Sequence, residues 1–374
     1  MSIAVEVKKF LKELGNYMEE NVIGVSVGAN PPSELHFELT YRCDSDCIMC
    51  DLKYRKKRQK NKDLSLAKIK KIVENSEMLD DIRYIILSGG EPWLHSEFPA
   101  IVSFFRKRYP RPGILILSNL LNTDKVLSGI KEIEKTSGLD NISLGTSLDG
   151  IKGVHDRIRG VNGAFDALVE SALLLRKKYP GMFPCFNFTL IPENSDQIFP
   201  VYEWAGKMGF RVSFQLMVQK KDTQRFEWTP ENITAVEHSI DCIIEDIYNR
   251  MDWAVFSPAQ LFNDLSLLFY LLDFHYLLKY LKDPARFFPD CPCGERFAMM
   301  DPEGNLYFCP VHKEMLAGNV RVSGFDAVWS GDKAEKIREY FNSKKCHCWL
   351  SCTNGVMLEK AFFPNKERIL KRFN

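Results

Sequence analysis

Between residue 35 and about residue 220, short and nearly continuous apolar runs alternate with segments whose apolar residues recur at helical spacing. Continuous apolar runs are typical of parallel strands that are covered on both faces. The predicted strands are "LHFELT", "RYIILSGG", "GILILSN", "NISLGTSLDG", "CFNFTLIP" and "FRVSFQLM". The predicted helices between them cover 65–77, 97–108, 123–136, 164–178 and 196–207. The pattern predicts an α/β fold, a partial (β/α)6 TIM-like barrel rather than an open sheet.

The pattern changes on both sides of this region. Residues 1–34 are predicted to form an N-terminal helical extension to the barrel of 35–220. Residues 221–287 read as a helical, aromatic-rich connecting region. Residues 288–374 are expected to form a smaller, cysteine-rich α+β domain, because "MMDPEGNLYFCP" has the turn residues of a hairpin between two apolar runs.

Composition narrows the class of protein. A chain of 374 residues suits one large α/β domain with a smaller one. The formal net charge of +1 gives no overall attraction to nucleic acid, so we expect no nucleic-acid partner. The first twenty residues lack the apolar core of a signal peptide. The most apolar stretch, 261–281, is interrupted by Asp264 and Asp273, which predicts a buried or interfacial helix and no transmembrane segment. We therefore expect a cytoplasmic protein.

The chain has 11 cysteines, which in a cytoplasmic protein indicate metal or redox chemistry rather than disulfides. Three lie within "CDSDCIMC", and six lie between 291 and 352. The remaining two, Cys185 and Cys242, are interpreted as small buried hydrophobic residues.

The first cluster, Cys43, Cys47 and Cys50, follows the first predicted strand, and the carboxyl ends of barrel strands are where catalytic residues lie. Three thiolates can hold three irons of a four-iron cluster and leave the fourth open to a small ligand. Structural zinc is the alternative, but it needs a fourth ligand, for which only nearby aspartates are available.

The spacing Cys-x3-Cys-x2-Cys after strand one resembles the signature of the radical S-adenosylmethionine (SAM) superfamily. That resemblance implies a [4Fe-4S] cluster whose open iron binds the amino and carboxylate groups of SAM. It further implies reductive cleavage of SAM to methionine and a 5′-deoxyadenosyl radical that abstracts hydrogen from a substrate. One departure is Met49, which stands where the family commonly has an aromatic residue.

Further motifs resemble the SAM contacts of this family and fall at successive strand ends. "SGGEP" resembles the loop that holds the SAM amino group, and "SLDG" with "HDRIRG" resembles the block that contacts the ribose and the carboxylate. "SN" resembles a third strand end, although Leu120 replaces the usual glycine. The SAM contacts implied are Ser88, Gly89, Gly90, Glu91, Ser118, Asn119, Ser147, Asp149 and Arg159.

The C-terminal cysteines resemble the SPASM and twitch extensions of radical SAM enzymes, which carry auxiliary four-iron clusters. A full SPASM domain uses seven cysteines for two clusters, so six here suggest one second, auxiliary [4Fe-4S] cluster. A structural zinc knuckle is the alternative. The predicted ligands are Cys291, Cys309, Cys348 and Cys352, with Cys293 and Cys346 as alternates.

These features together predict a radical SAM enzyme, with a non-catalytic metal-binding scaffold as the remote alternative. The substrate is expected to be a small, carbohydrate-like metabolite, and modification of a peptide or protein side chain is the alternative. Flavodoxin or ferredoxin is the expected electron donor, since "KYRKKRQKNK" offers basic residues to an acidic partner. No catalytic acid or base is assigned, although His312 and Glu314 lie close to the second cluster.

Overall fold

The structure, a computed structural model, describes residues 2–22, 31–59, 62–182, 185–217, 225–251, 255–289, 291–343 and 346–373. Of residues 53, 58 and 351–353 it describes the backbone alone. The strands are β1 Glu34–Glu38, β2 Tyr84–Ser88, β3 Gly113–Leu117, β4 Ile142–Ser147, β5 Cys185–Leu190, β6 Arg211–Leu216, β7 Phe297–Met300, β8 Asn305–Tyr307 and β9 Leu316–Asn319.

The helices of the first half are α1 Ile3–Asn21, α2 Leu52–Arg58, α3 Leu66–Glu74, α4 Phe98–Arg108, α5 Thr123–Ser137, α6 Gly153–Arg159, α7 Ala164–Lys178 and α8 Ile198–Lys207. Those of the second half are α9 Pro230–Arg250, α10 Pro258–Asn263, α11 Leu265–Lys282, α12 Val320–Ser323, α13 Phe325–Trp329, α14 Asp332–Asn342, α15 Ser351–Phe362 and α16 Lys366–Phe373. Short 3₁₀ helices cover Pro92–Leu94, Pro192–Asn194 and Phe363–Asn365.

Strands β1 to β6 form a parallel sheet in sequence order. Their apolar side chains, such as Phe37 and Leu87 at paired positions on β1 and β2, are fully buried. The five helices expected between the strands are present as α3, α4, α5, α7 and α8. The sheet does not close, because β6 and β9 form its two edges. The predicted partial barrel is therefore confirmed.

The C-terminal hairpin extends the sheet of the barrel. Strand β7 pairs in parallel with β1, at Phe37 opposite Met300, and β8 and β9 follow in antiparallel order. The predicted hairpin is thus present as β7 and β8, and a small three-strand unit is joined to the first barrel strand. Nothing in the sequence pattern had indicated this pairing.

The apolar stretch predicted to be a buried helix is present as α10 and α11. Helix α11 packs against α1, α9 and α15, and residues on almost all its faces are buried. Its Tyr276 ring lies among Phe287, Phe288 and Trp349. Among the residues that the structure describes, no helix is long and apolar enough to cross a membrane.

Candidate functional site

The loop after β1 is fixed in place by backbone hydrogen bonds to α6. It carries three half-buried cysteines, Cys43, Cys47 and Cys50. The Asp46 and Ile48 amides donate to the carbonyls of Arg159 and Ile158 at 3.1 and 3.0 Å. Because both of these residues lie beside Cys47, the position of that thiol is set by α6. Helix α6, which the sequence pattern did not predict, therefore helps to build the first cysteine site.

Arg159 connects this loop to the end of β4. Its Nη1 donates to the sulfur of Cys47 at 3.5 Å, and its Nη2 pairs with Asp149 Oδ2 at 2.5 Å. Asp149 is completely buried, and its Oδ1 accepts the Thr189 amide at 2.8 Å. The buried Nε of Arg159 has no hydrogen-bond partner in the described part of the chain. Arg159 therefore retains a donor for an anionic ligand beside Cys47.

The "SGGEP" loop runs directly against the backbone that precedes the cysteines. The Gly90 amide donates to the Thr40 carbonyl at 2.6 Å, and the Glu91 amide donates to the Arg42 carbonyl at 2.8 Å. A Cβ at Gly89, where φ is +135°, would lie 2.4 Å from the Thr40 oxygen, and one at Gly90 would lie 2.1 Å from the Arg42 oxygen. Both glycines are thus required by a close backbone approach.

Glu91 is a buried carboxylate that joins the ends of β2 and β3. It accepts the Ser118 hydroxyl at 3.0 Å and the Asn119 amide at 2.7 Å. Burial raises the pKa of Glu91 to about 7. The Asn119 side chain donates in turn to Asp44 Oδ1 at 2.6 Å and to Ser45 Oγ at 3.0 Å, within the cysteine loop. The predicted SAM contacts at these strand ends thus form a connected network with the loop.

Two other predicted SAM contacts lie at neighbouring strand ends. Ser88 ends β2, and its hydroxyl lies 2.5 Å from Nε2 of His36. Ser147 ends β4 and is half-buried. The roles of Ser88, Ser147 and the remaining predicted contacts toward SAM stay predictions.

The donors at this site fit a four-iron cluster with an external ligand. Burial raises the pKa of Cys43 to about 12 and also raises that of Cys47, so the thiolate forms need the positive charge of a metal. Three thiols on one loop leave the fourth iron of a cubane without a protein ligand. The unpaired Nε of Arg159 suits the carboxylate of SAM.

The C-terminal cysteines surround a second cavity, which His312 and Trp349 also line. The cavity is lined by Cys291, Cys293, Cys309, Cys346 and Cys348. Cys293 is hydrogen-bonded to both Cys291 and Cys309. Three of the preferred ligands and both alternates therefore converge, while the side chain of Cys352 lies outside the described residues.

An open cleft of about 440 Å³ lies between the two cysteine sites. Toward the second site it shares Val311, His312, Cys346 and His347 with the lining of the cysteine cavity. Toward the first site its Met217 and Phe226 belong to the apolar cluster that includes Cys47 and Met49. The sequence pattern did not predict this cleft, although the aromatic content of 221–285 was a signal for it.

Comparisons with known proteins agree with this arrangement. The model of the radical SAM superfamily matches residues 37–219, and that of the SPASM iron–sulfur cluster-binding domain matches residues 291–353. The chain belongs to the radical SAM superfamily and carries a C-terminal SPASM domain. It is an enzyme that binds a [4Fe-4S] cluster and SAM, with auxiliary iron–sulfur binding in the SPASM domain. The predicted family and the predicted cofactors are thereby confirmed.

The similar proteins include a maturase and a peptide cyclase. Mycofactocin maturase MftC of Mycolicibacterium smegmatis is 25% identical over 346 residues, which cover 90% of this chain and 80% of the relative. PqqA peptide cyclase of Gluconobacter oxydans is 26% identical over 309 residues, which cover 80% of this chain and 77% of the relative. The structure of Streptococcus suis SuiB bound to its precursor peptide SuiA superposes with a TM-score of 0.59 at 14% identity and covers 88% of this chain and 70% of SuiB. At 14% identity, the structural similarity to SuiB shows that the fold is shared and nothing more.

Proposed function

We propose that this enzyme modifies a peptide, by abstracting hydrogen from a residue that enters the cleft between the two cysteine sites. The relatives support this proposal, since one is named a peptide cyclase and the similar fold of SuiB has been captured with a precursor peptide. They favour the peptide alternative over the carbohydrate-like metabolite that the sequence analysis preferred.

The cleft is the observation that carries the proposal. Its volume lies within the roughly 300–1,000 Å³ of small-molecule pockets, and it is open, so a chain can pass across it with one side chain inserted. The lining is largely apolar and aromatic, with Trp228, Tyr280 and Leu281 among its members, and none of the described lining residues is Asp, Glu, Lys or Arg. Such walls suit an apolar or aromatic side chain better than a polyhydroxylated ring.

Different residues of this chain have different roles in the site. When bound, the cluster and SAM supply one-electron cleavage of SAM and the abstraction of a hydrogen atom. The loop of Cys43 to Cys50 holds the cluster, and Arg159 retains a donor for the SAM carboxylate. Met217 and Phe226 shield the Cys47 side of the cleft from water. On the opposite wall, the Tyr280 hydroxyl and Nδ1 of His347 lie 3.0 Å apart and provide polar groups.

The electron donor that we propose is a flavodoxin or a ferredoxin. Helix α2 begins two residues after Cys50 and presents the exposed side chains of Lys56 and Lys57. These cations lie near the first site and complement an acidic surface. Cytoplasmic location and the domain boundaries given above stay predictions from the sequence.

The peptide proposal is tested with protein reconstituted anaerobically with iron and sulfide and supplied with dithionite and SAM. The probes are synthetic peptides encoded by short reading frames beside the gene, and in parallel a panel of monosaccharides and aminocyclitols. We expect 5′-deoxyadenosine to accumulate with a peptide, together with an equal amount of mass-shifted peptide. Turnover with a sugar and with no peptide would overturn the proposal in favour of a small metabolite.

A pair of variants locates the reaction in the cleft. Trp228→Ala should raise the KM for the peptide about tenfold or more, because buried tryptophans contribute strongly to binding. Phe363→Ala is the matched control, since its aromatic ring is 49% exposed and is absent from the cleft lining. Equal effects of the two substitutions would exclude the cleft as the peptide site.

A further inference from the structure

Glu38, the last residue of β1, is a buried carboxylate that accepts hydrogen bonds from three distant side chains. It is only 5% exposed. Arg55 Nη1 and the Tyr307 hydroxyl donate to Oε2 at 2.5 Å each, and Lys313 Nζ donates to Oε1 at 2.8 Å. Burial opposes ionisation, but Arg55 and Lys313 hold the pKa of Glu38 well below its usual range. The carboxylate is therefore charged, and its buried charge is compensated by two cations.

The three donors come from the segments that flank the two cysteine sites. Arg55 lies on α2, and its other terminal nitrogen pairs at 3.2 Å with Asp51, which directly follows Cys50. Tyr307 ends β8 two residues before Cys309, and Lys313 follows the same cysteine. Glu38 thus connects the first cysteine loop with the hairpin that carries Cys309.

A second connection runs from the other end of the first loop. Tyr41, two residues before Cys43, donates through its hydroxyl to Asp301 Oδ2 at 3.1 Å. The other carboxylate oxygen of Asp301 accepts the amides of Glu303 and Asn305, both at 2.9 Å, and so fixes the turn between β7 and β8. Both ends of the first cysteine loop are therefore tied to the same hairpin.

We infer that Glu38 is a positioning residue that holds the SAM-binding loop and the auxiliary cysteine unit in one fixed relation across the cleft. Stability alone does not account for the arrangement, because a buried ion network often adds no more stability than apolar residues of the same volume. Hydrogen bonds from three donors fix both a distance and an orientation, which apolar packing does not. Radical transfer in the cleft needs such a fixed geometry, because small displacements of reacting groups are costly in rate. The inference rests on the radical SAM and SPASM assignment and is independent of the peptide substrate.

The test is Glu38→Gln in the reconstituted enzyme, with two measurements that do not depend on turnover. Hydrogen–deuterium exchange should become faster by about tenfold or more in both 41–51 and 301–313, because hydrogen bonds to a charged group are lost at both. The reduction potential of the auxiliary cluster should rise, because a negative charge near Cys309 is removed. Glu38→Asp, which keeps the charge, should leave the potential close to wild type.

Glu19→Gln is the matched control, because Glu19 also accepts from a lysine, Lys279, at 2.6 Å, but joins α1 to α11. It should change neither measurement. Faster exchange in only one of the two segments, or an unchanged potential, would overturn the inference. If Glu38→Gln does not fold, Tyr307→Phe removes a single hydroxyl and should still accelerate exchange in both segments. An effect of Tyr307→Phe confined to the hairpin would equally refute the inference.

Discussion

The two cysteine sites are built in opposite ways. At the first site the thiols are half-exposed on one short loop, and Cys47 receives its hydrogen bond from Arg159. At the second site Cys291, Cys293 and Cys309 are buried, with Cys293 hydrogen-bonded to the other two, while Cys346 and Cys348 are half-buried. Three cysteines on one loop would leave one iron of a cluster open to an external ligand, whereas the five cysteines around the second cavity could supply every ligand of a cluster. The difference in the number of converging cysteines therefore corresponds to the difference between a SAM-binding and an auxiliary cluster.

Each site is nevertheless supported by a carboxyl group whose pKa is raised. Glu91 supports the first loop through Asn119. Asp273, on α11, accepts the Trp349 indole N–H at 2.7 Å and the Asn354 amide at 2.6 Å, and so holds the segment around Cys348. Burial raises the pKa of each carboxyl to about 7. The same physical device thus fixes an open site and an enclosed one.

Replacing the cysteines should separate the two sites most sharply. The triple variant Cys43→Ala, Cys47→Ala and Cys50→Ala should lose SAM cleavage completely, because no thiolate remains to hold the first cluster. About four irons should remain bound if the second site holds one auxiliary [4Fe-4S] cluster. Iron analysis and the 5′-deoxyadenosine assay provide the two measurements.

The complementary variant Cys291→Ser with Cys309→Ser should lose the auxiliary iron and still cleave SAM. If either set of substitutions removed all the iron, the two sites would not be independent, and the contrast between them would fail. About eight irons left in the triple variant would show two auxiliary clusters rather than one.

A smaller effect is expected from Gly90→Ala. Its Cβ would lie 2.1 Å from the Arg42 carbonyl oxygen and 3.1 Å from the Cys43 Cβ, so the cysteine loop must move. We expect a loss of about 1–3 kcal/mol in stability and lower iron occupancy at the first site alone. Thermal unfolding and iron content measure the two effects.

Gly355→Ala is the control for this substitution, because Gly355 is an exposed position within α15 with no atom near its Cβ. Removing a helical glycine there should raise stability by about 0.5–1 kcal/mol and leave iron content unchanged. If Gly90→Ala behaved like this control, the close approach of the two loops would not be needed for the first site.

The sequence allowed the first site to be predicted more completely than the second, for a physical reason. The first loop and the strand ends around it follow from local periodicity, because successive parallel strands of a barrel place their carboxyl ends together. The pairing of β7 with β1 depends instead on contacts between segments more than 250 positions apart, such as Glu38 with Tyr307, where the separation is 269. Local patterns carry no information about such pairing.

One signal for the long-range network was present in the sequence. Glu38 interrupts the apolar run "LHFELT", and a carboxylate in a buried strand must find cations or donors. This predicts that partners exist but does not identify Arg55 and Lys313, since many other basic residues could serve. The sequence could likewise not locate the cleft, because its walls come from β6, α11 and the C-terminal unit.

The last predicted effect is a pH dependence that originates at the second site. Because the pKa of Asp273 is raised to about 7, the folded protein keeps a proton that the unfolded chain, with a pKa of about 3.9, releases. The stability from this proton is complete below pH about 4 and is lost as the pH rises toward 7. Asp273→Asn removes this titration. The melting temperature of the variant should therefore match that of wild type more closely at pH 5 than at pH 8. At pH 8 the variant should be the more stable protein, by up to about 1.4 kcal/mol for each pH unit between the unfolded and the folded pKa. Asp246 on α9 provides the opposite case, because its hydrogen bonds from Arg250 and Tyr202 outweigh burial and lower its pKa. Asp246→Asn should therefore lose stability relative to wild type only as the pH rises to about 4, and its profile between pH 5 and pH 8 should be flat. Parallel pH profiles for the two variants between pH 5 and pH 8 would show that the pKa of Asp273 is not raised, and the likeness between Asp273 and Glu91 would then fail.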